Sequence, residues 1–173
     1  MRALIVYESF FGDTEEIARA VAEGLGSATV HPVDDAPRDL AGYDLLVVGA
    51  PTHVHGLSRP STRKAAAEQA RGSPQHEIGL REWLGDFRVL PPGTTTAAFD
   101  TRLAKPRWLT GSAARSASKM LSRIGHPTVV PPMSFFVEVV SGDTRLVDGE
   151  SARARVWGAT VAHRLDRTGS GPG

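Results

Sequence analysis

Two hydroxyls and a glycine stand close together near the start of the chain: Ser9, Gly12 and Thr14 in "YESFFGDTEE", Tyr7 to Glu16. An apolar run, Ala3 to Val6, comes before them, and a helix-periodic run, Ile17 to Leu25, comes after. Hydroxyls and amides at the start of a helix can hold an anion, because the first amides have no intrahelical acceptor and the dipole is positive there. Gly12 permits a positive φ or a close backbone approach. The loop has no Lys or Arg, so dipoles and hydrogen bonds would have to meet the charge. No Gly-Lys-Ser/Thr follows, which excludes a Walker-type phosphate loop, and the dinucleotide glycine triplet is absent. The same residues also read as an ordinary capped turn, with Asp13 and Glu16 at capping-box spacing. On this stretch alone the two readings stand level. Asp13 suits an anion site only if its carboxylate turns away.

Two later segments carry candidate chemistry. In "GAPTHVHG", Gly49 to Gly56, His53 and His55 sit two residues apart. Two imidazoles with no nearby third ligand make a weak metal site, so no metal is expected. They read as polar loop residues, with contact to a ring edge or substrate as the alternative. In "FDTRLAKPRWLTGSAA", from Phe99, the cations Arg102, Lys105 and Arg107 crowd one loop. Trp108, the aromatic of that loop, either stacks on a flat ligand or packs on the following helix. Arg115, Lys119 and Arg123 recur at i, i+4 and i+8 and read as a solvated helix face. No side chain stands out as a catalytic nucleophile or acid–base. The absence of cysteine excludes a disulfide framework, an iron–sulfur cluster and a thiolate zinc site.

These loops need elements to position them. Short apolar strands are expected at Ala3 to Tyr7, Ala28 to Val33, Leu45 to Val48 and Thr94 to Phe99. A last strand region is expected at Thr128 to Val130 and Phe135 to Val140. Helices are expected at Thr14 to Leu25 (ended by Gly24 and Gly26), Ser58 to Ala70, around Leu80 to Phe87, Gly111 to Gly125 and Glu150 to Leu165. Continuous apolar strands alternating with helices predict an α/β three-layer sandwich: a five-stranded parallel sheet with helices on both faces. Ligands of such sheets bind at the carboxyl ends of the strands, where strand order reverses. The three loops above follow strands one, three and four. The 173 residues suit a single domain, residues 1–165, with a disordered tail at 166–173. The irregular stretch from Arg71 to Gly93 is placed like a lid or an interface. A net charge of +1 is not that of a nucleic-acid binder, and the opening apolar run is too short for a membrane span or a signal core. A cytoplasmic protein is expected.

Strand, then Ser-x-x-Gly-x-Thr-Glu, then helix resembles the phosphate loop of flavodoxins, matching at Ser9, Gly12, Thr14 and Glu15. "GAPTHVHG" resembles the loop that packs beside the flavin ring, and Asp100, Thr101 and Arg102 stand where the second ring loop begins. The resemblance spans Ala3 to about Leu165. It implies a sheet of order 2-1-3-4-5 and FMN as cofactor. Ser9, Phe10, Phe11, Gly12, Asp13 and Thr14 would surround the phosphate. Pro51, Thr52, His53, Val54, His55, Gly56, Asp100, Thr101 and Arg102 would flank the ring. The sequence departs from the family at Phe11, where threonine is common, and in the third loop, where acidic and tyrosine-bearing motifs are usual. Cations there would favour the anionic reduced flavin, roughly 59 mV per tenfold preference in a one-electron couple. The resemblance implies electron transfer with a redox partner protein or a small-molecule donor or acceptor. A homodimer stays open. The alternatives are an NAD(P)H-dependent quinone or small-molecule reductase, and a flavin-free binding module on the same fold.

Overall fold

In the computed structural model, which describes residues 1–53, 56–69 and 77–169, a single sheet organises the chain. Its first strand, β1 (Ala3–Tyr7), is buried along its whole length. Alternate side chains face opposite layers: Ala3, Ile5 and Tyr7 one core, Leu4 and Val6 the other. Two buried faces explain the unbroken apolar run. β2 (Ala28–Pro32) pairs parallel with β1 on one side, and β3 (Leu45–Pro51) on the other. β4 (Thr95–Leu103) and β5 (Met133–Val140) extend the parallel set. Strand order therefore reverses between β1 and β3, and the loops after them face each other there.

The sheet has six strands, not the five parallel ones expected. β6 (Asp143–Leu146) adds an antiparallel edge, giving the order β2-β1-β3-β4-β5-β6. The cause is a two-residue turn, with Ser141 at φ 55° and Gly142 at φ 92°. Positive φ at both central positions is the turn that matches strand twist in a tight hairpin. Of the expected strand at Thr128 to Val130, only a single bridge, Thr128 to Thr96, forms.

Helices α1 (Asp13–Leu25) and α6 (Glu150–Gly169) cover one face of the sheet, with Ile17, Val21, Trp157 and Val161 in the core that Phe99 and Phe135 complete. Each fully buried aliphatic side chain contributes about 1.5–3 kcal/mol. Gly24, expected to end α1, lies inside it. A Cβ there would fall 2.0 Å from the Arg155 carbonyl oxygen, and one at Gly158 would fall 2.4 Å from that of Val21. Two glycines thus let the α1 and α6 backbones touch. α6 also runs past the expected boundary at Leu165, because neither glycine nor proline occurs between Leu165 and Gly169; residues 170–173 of the expected tail lie outside the described residues.

On the other face lie α3 (Leu80–Gly85) and α5 (Ala113–Arg123). Helix α2 (Pro60–Gln69) follows the β3 loop, and the short α4 (Arg107–Thr110) precedes α5. Residue 70 of the expected second helix and residues 71–76 of the expected lid or interface lie outside the described residues. From Ile78 onward the segment contributes to the core: Leu80, Trp83, Leu84 and Leu90 are buried in the same cluster as Leu4, Leu46 and Val48. Among the described residues no helix is long and apolar enough to cross a membrane.

Candidate functional site

The chain leaves β1 at Glu8 and enters α1 at Asp13, with Gly12 as N-cap at φ 94°. A Cβ on Gly12 would meet nothing within 4 Å, so torsion, not space, requires glycine. The capping box expected from Asp13 and Glu16 does not form, because Asp13 is already the first helical residue. Instead the Ser9 hydroxyl accepts hydrogen bonds from the amides of Gly12 (3.2 Å) and Glu15 (3.4 Å), drawing the loop into one concave turn. The first helical amides, those of Asp13 and Thr14, have no intrahelical carbonyl to reach. Thr14 Oγ1 lies 2.8 Å from Thr101 Oγ1. One hydroxyl donates in that bond; with Thr101 as donor, the Thr14 proton is available to an anion.

Asp13 turns away from this cradle. Its carboxylate accepts from the Thr144 hydroxyl at 2.5 Å and from the Leu146 backbone, both on β6. Burial holds the carboxyl above the usual aspartate range, outweighing those hydrogen bonds, and the Glu16 charge adds to the rise. A raised folded-state pKa contributes stability that is complete below the unfolded value and is lost as pH rises through the folded one. At neutral pH the charge therefore costs stability. Asp13→Asn is expected to raise the urea midpoint at pH 7, with the gain vanishing below about pH 4. Removing a carboxylate beside the cradle should also tighten anion binding there by about three- to tenfold.

Beside the cradle, at the strand-order reversal, lies a mainly apolar cleft of about 210 Å³. Phe10, Phe11, Pro51, Leu103, Val137 and Val139 form its apolar walls, and Ser9, Asp13, Thr14, Thr52, His53, Thr101, Arg102 and Thr144 its polar ones. Two of the three expected loops thus meet the end of β4 here. Phe10 is buried and stands edge-on to the His53 ring, centroids 5.1 Å apart. His53 exchanges both backbone hydrogen bonds with Gly56, 2.8 and 2.9 Å. Burial, with the Arg63 charge adding, holds its imidazole below the usual histidine range, so it is neutral at pH 7. His53 Nε2 is buried with no hydrogen-bond partner among the described residues. The buried Arg102 donates to the carbonyl oxygens of Lys105 (2.6 Å) and Leu103 (3.3 Å) and to Thr110 Oγ1 (3.2 Å). It pins the loop after β4 while keeping a cation at the cleft wall.

Other expected contacts fall elsewhere. Asp100 does not line the cleft. Its Oδ2 accepts from Ser112 Oγ (2.5 Å) and the Ala114 amide (2.9 Å), so it caps α5 from below. Gly56 faces a neighbouring cavity. Val54 and His55 lie outside the described residues. Trp108 is 80% exposed on α4 and not in the cleft wall, so it does not pack on the following helix. Among the described residues no cluster of three or more metal-ligating side chains occurs.

The sequence reading passed over Glu8. It is fully buried; its Oε2 accepts from the Leu80 amide at 2.9 Å and its Oε1 from the Ser58 hydroxyl. Arg63 reaches the same Ser58 hydroxyl (3.3 Å) and Glu82 (2.8 Å). This network ties the end of β1 to the β3 loop and α3. The one signal in the sequence was a carboxylate directly after a fully apolar strand.

No protein-family model matches the chain, and comparison with curated protein sequences finds no match. Solved structures do match. A flavodoxin from the domain Archaea aligns over 96% of this chain and 99% of its own, with TM-score 0.65 and 16% identity. Oxidised flavodoxin 2 from Bacillus cereus aligns over 97% and 99%, with TM-score 0.64 and 17% identity. Rubredoxin oxygen:oxidoreductase from Desulfovibrio gigas aligns over 98% of this chain but 37% of its own, with TM-score 0.62 and 16% identity. Parallel strands ordered 2-1-3-4-5, helices on both faces and likeness over nearly the whole length give this protein a flavodoxin-like fold.

Proposed function

We propose that the protein binds FMN and transfers electrons through it. One observation carries the reading: a cation-free anion cradle at the start of α1 opens onto an apolar cleft at the strand-order reversal. The donor set fits the group. Ser9, Thr14 and the first amides of α1 would hold the phosphate, and Asp13 is tethered away from it. Phe11 contributes no hydroxyl but still offers its amide. The cleft is smaller than the roughly 300–1,000 Å³ of enclosed pockets, so the nucleotide would span cleft and loop together. Pro51, Thr52 and His53 would flank the ring from β3, and Thr101 and Arg102 from β4. His53 Nε2, buried and unpartnered among the described residues, is placed to hydrogen-bond a polar ring edge. FMN when bound supplies one- and two-electron transfer, while the protein supplies binding, orientation and field. The Arg102 cation favours negative charge on whatever ring lies beside it.

The electron partner is a redox protein or a small molecule. Phe11, 36% exposed, and Val139, 60% exposed, form an apolar mouth that either could meet. Titration with FMN and with riboflavin, followed by flavin fluorescence, tests the reading. FMN is expected to bind at least about a hundredfold tighter, because charge-assisted hydrogen bonds to the phosphate are lost with riboflavin. Equal affinities would remove the cradle from the account. With FMN loaded, NAD(P)H oxidation coupled to a quinone would mark a reductase; a carrier is expected to show none.

A further inference from the structure

His53 also lines a second cavity, of about 470 Å³, within the roughly 300–1,000 Å³ of small-molecule sites. Its chemistry is the opposite of the cleft's. Arg59, Arg81, Ser61 and Ser116 line it, and no carboxylate does among the described residues. Arg81 donates to the carbonyl oxygens of Leu57 (3.2 Å) and Ser58 (3.4 Å), neutral acceptors that leave its charge uncompensated. Neither arginine meets a carboxylate among the described residues. Two cations facing one cavity repel each other unless an anion lies between them. The wall is also built closely. A Cβ on Gly56 would come within 2.9 Å of Ser116 Oγ, so glycine lets the β3 loop close the cavity against α5.

We propose that this cavity binds a phosphate-type oxyanion, with Arg59 and Arg81 supplying the charge and Ser61 a hydroxyl donor. Two guanidinium groups and a hydroxyl offer more donors than one carboxylate fills, and their charge matches a dianion. The anion is either free phosphate or the head of a small phosphorylated molecule. The site itself stands on its own residues. That it sets an anionic group one imidazole away from a flavin rests on the reading above, because His53 lines both spaces.

Calorimetric titration with inorganic phosphate, then with glycerol 3-phosphate, tests the assignment in wild type and in Arg59→Gln. The protein is first loaded with FMN and freed of excess flavin, so that the α1 loop is blocked wherever FMN binds it and no free flavin phosphate competes for the second cavity. One phosphate site is expected, weakened at least about tenfold in Arg59→Gln with FMN affinity unchanged. Arg59 is exposed and carries no tertiary side-chain bond among the described residues, so the variant keeps the fold. Arg81→Gln should lose binding as well, with its urea midpoint measured alongside because Arg81 ties the β3 loop. Tighter binding of the ester assigns the site to phosphorylated molecules, and tighter binding of phosphate to the free ion. No saturable binding, or equal binding by wild type and Arg59→Gln, overturns the proposal. Failure of the flavin reading looks different: wild type takes up no FMN, yet the phosphate difference between wild type and Arg59→Gln persists.

Discussion

Gly12→Val is expected to weaken FMN binding by about a hundredfold or more, close to 2.7 kcal/mol, while the protein stays folded. Gly12 sits at φ 94°, where a β-branched residue is a steric outlier. Space is not the obstacle, since a Cβ would meet nothing within 4 Å. The cost is torsional, and the chain relieves it by turning the peptides on either side. One of those peptides carries the Gly12 amide that donates to Ser9, and the other the Asp13 amide that would face the phosphate. A strain of about 1–2 kcal/mol leaves most of a typical 5–15 kcal/mol of stability intact. Gly12→Asn is the control. Asparagine tolerates the left-handed region, so its affinity should fall only about threefold. Fluorescence titration measures both variants, and circular dichroism confirms the fold. Equal losses in the two variants would show that the turn geometry is not what binds.

Glu8→Ala is expected to destabilise the protein by about 3 kcal/mol, read as a fall in the urea midpoint. The Leu80 amide and the Ser58 hydroxyl would lose their buried acceptor at once. Each buried group left unsatisfied costs about 1–3 kcal/mol, and the space left by the side chain adds to it. Glu8→Gln keeps the shape and one carbonyl acceptor, so about half the loss should remain. The damage should concentrate in α3 and the β3 loop, which the Glu8, Ser58, Arg63 and Glu82 network holds together. Hydrogen exchange at Leu80 to Leu84 would show it. Unchanged protection there, together with an unchanged midpoint, would mean that the network adds nothing to stability.

Continuous burial made β1 and β3 legible, because an apolar run between two helical layers has no polar face to disguise it; β4 was legible only as far as Phe99, since its buried continuation through Asp100, Thr101 and Arg102 to Leu103 is polar and reads as loop. The three loops followed from those strands. β6 was not legible. Its residues, Asp143 to Leu146, are partly exposed at the sheet edge, and their alternation is too short to show a period. That omission hid the orientation of Asp13, whose partner Thr144 lies 131 residues away in sequence. A carboxylate in a phosphate loop is awkward only until the strand that takes it is seen. Gly24 was misread because a stop signal and a close helix contact use the same residue type. Asp100 falls at the right strand end, yet its carboxylate serves α5, a pairing set by packing and not by spacing. Glu8 was passed over because nothing near it in the chain shows that Ser58 and the Leu80 amide converge there.

The most direct measurement is flavin retained by the purified protein after incubation with excess FMN and removal of free ligand. A cradle and cleft of this kind predict a yellow protein carrying one FMN per chain, with the flavin absorbance bands shifted by an apolar ring site. A protein that elutes colourless, with no flavin released on denaturation, would contradict FMN binding and the electron transfer built on it.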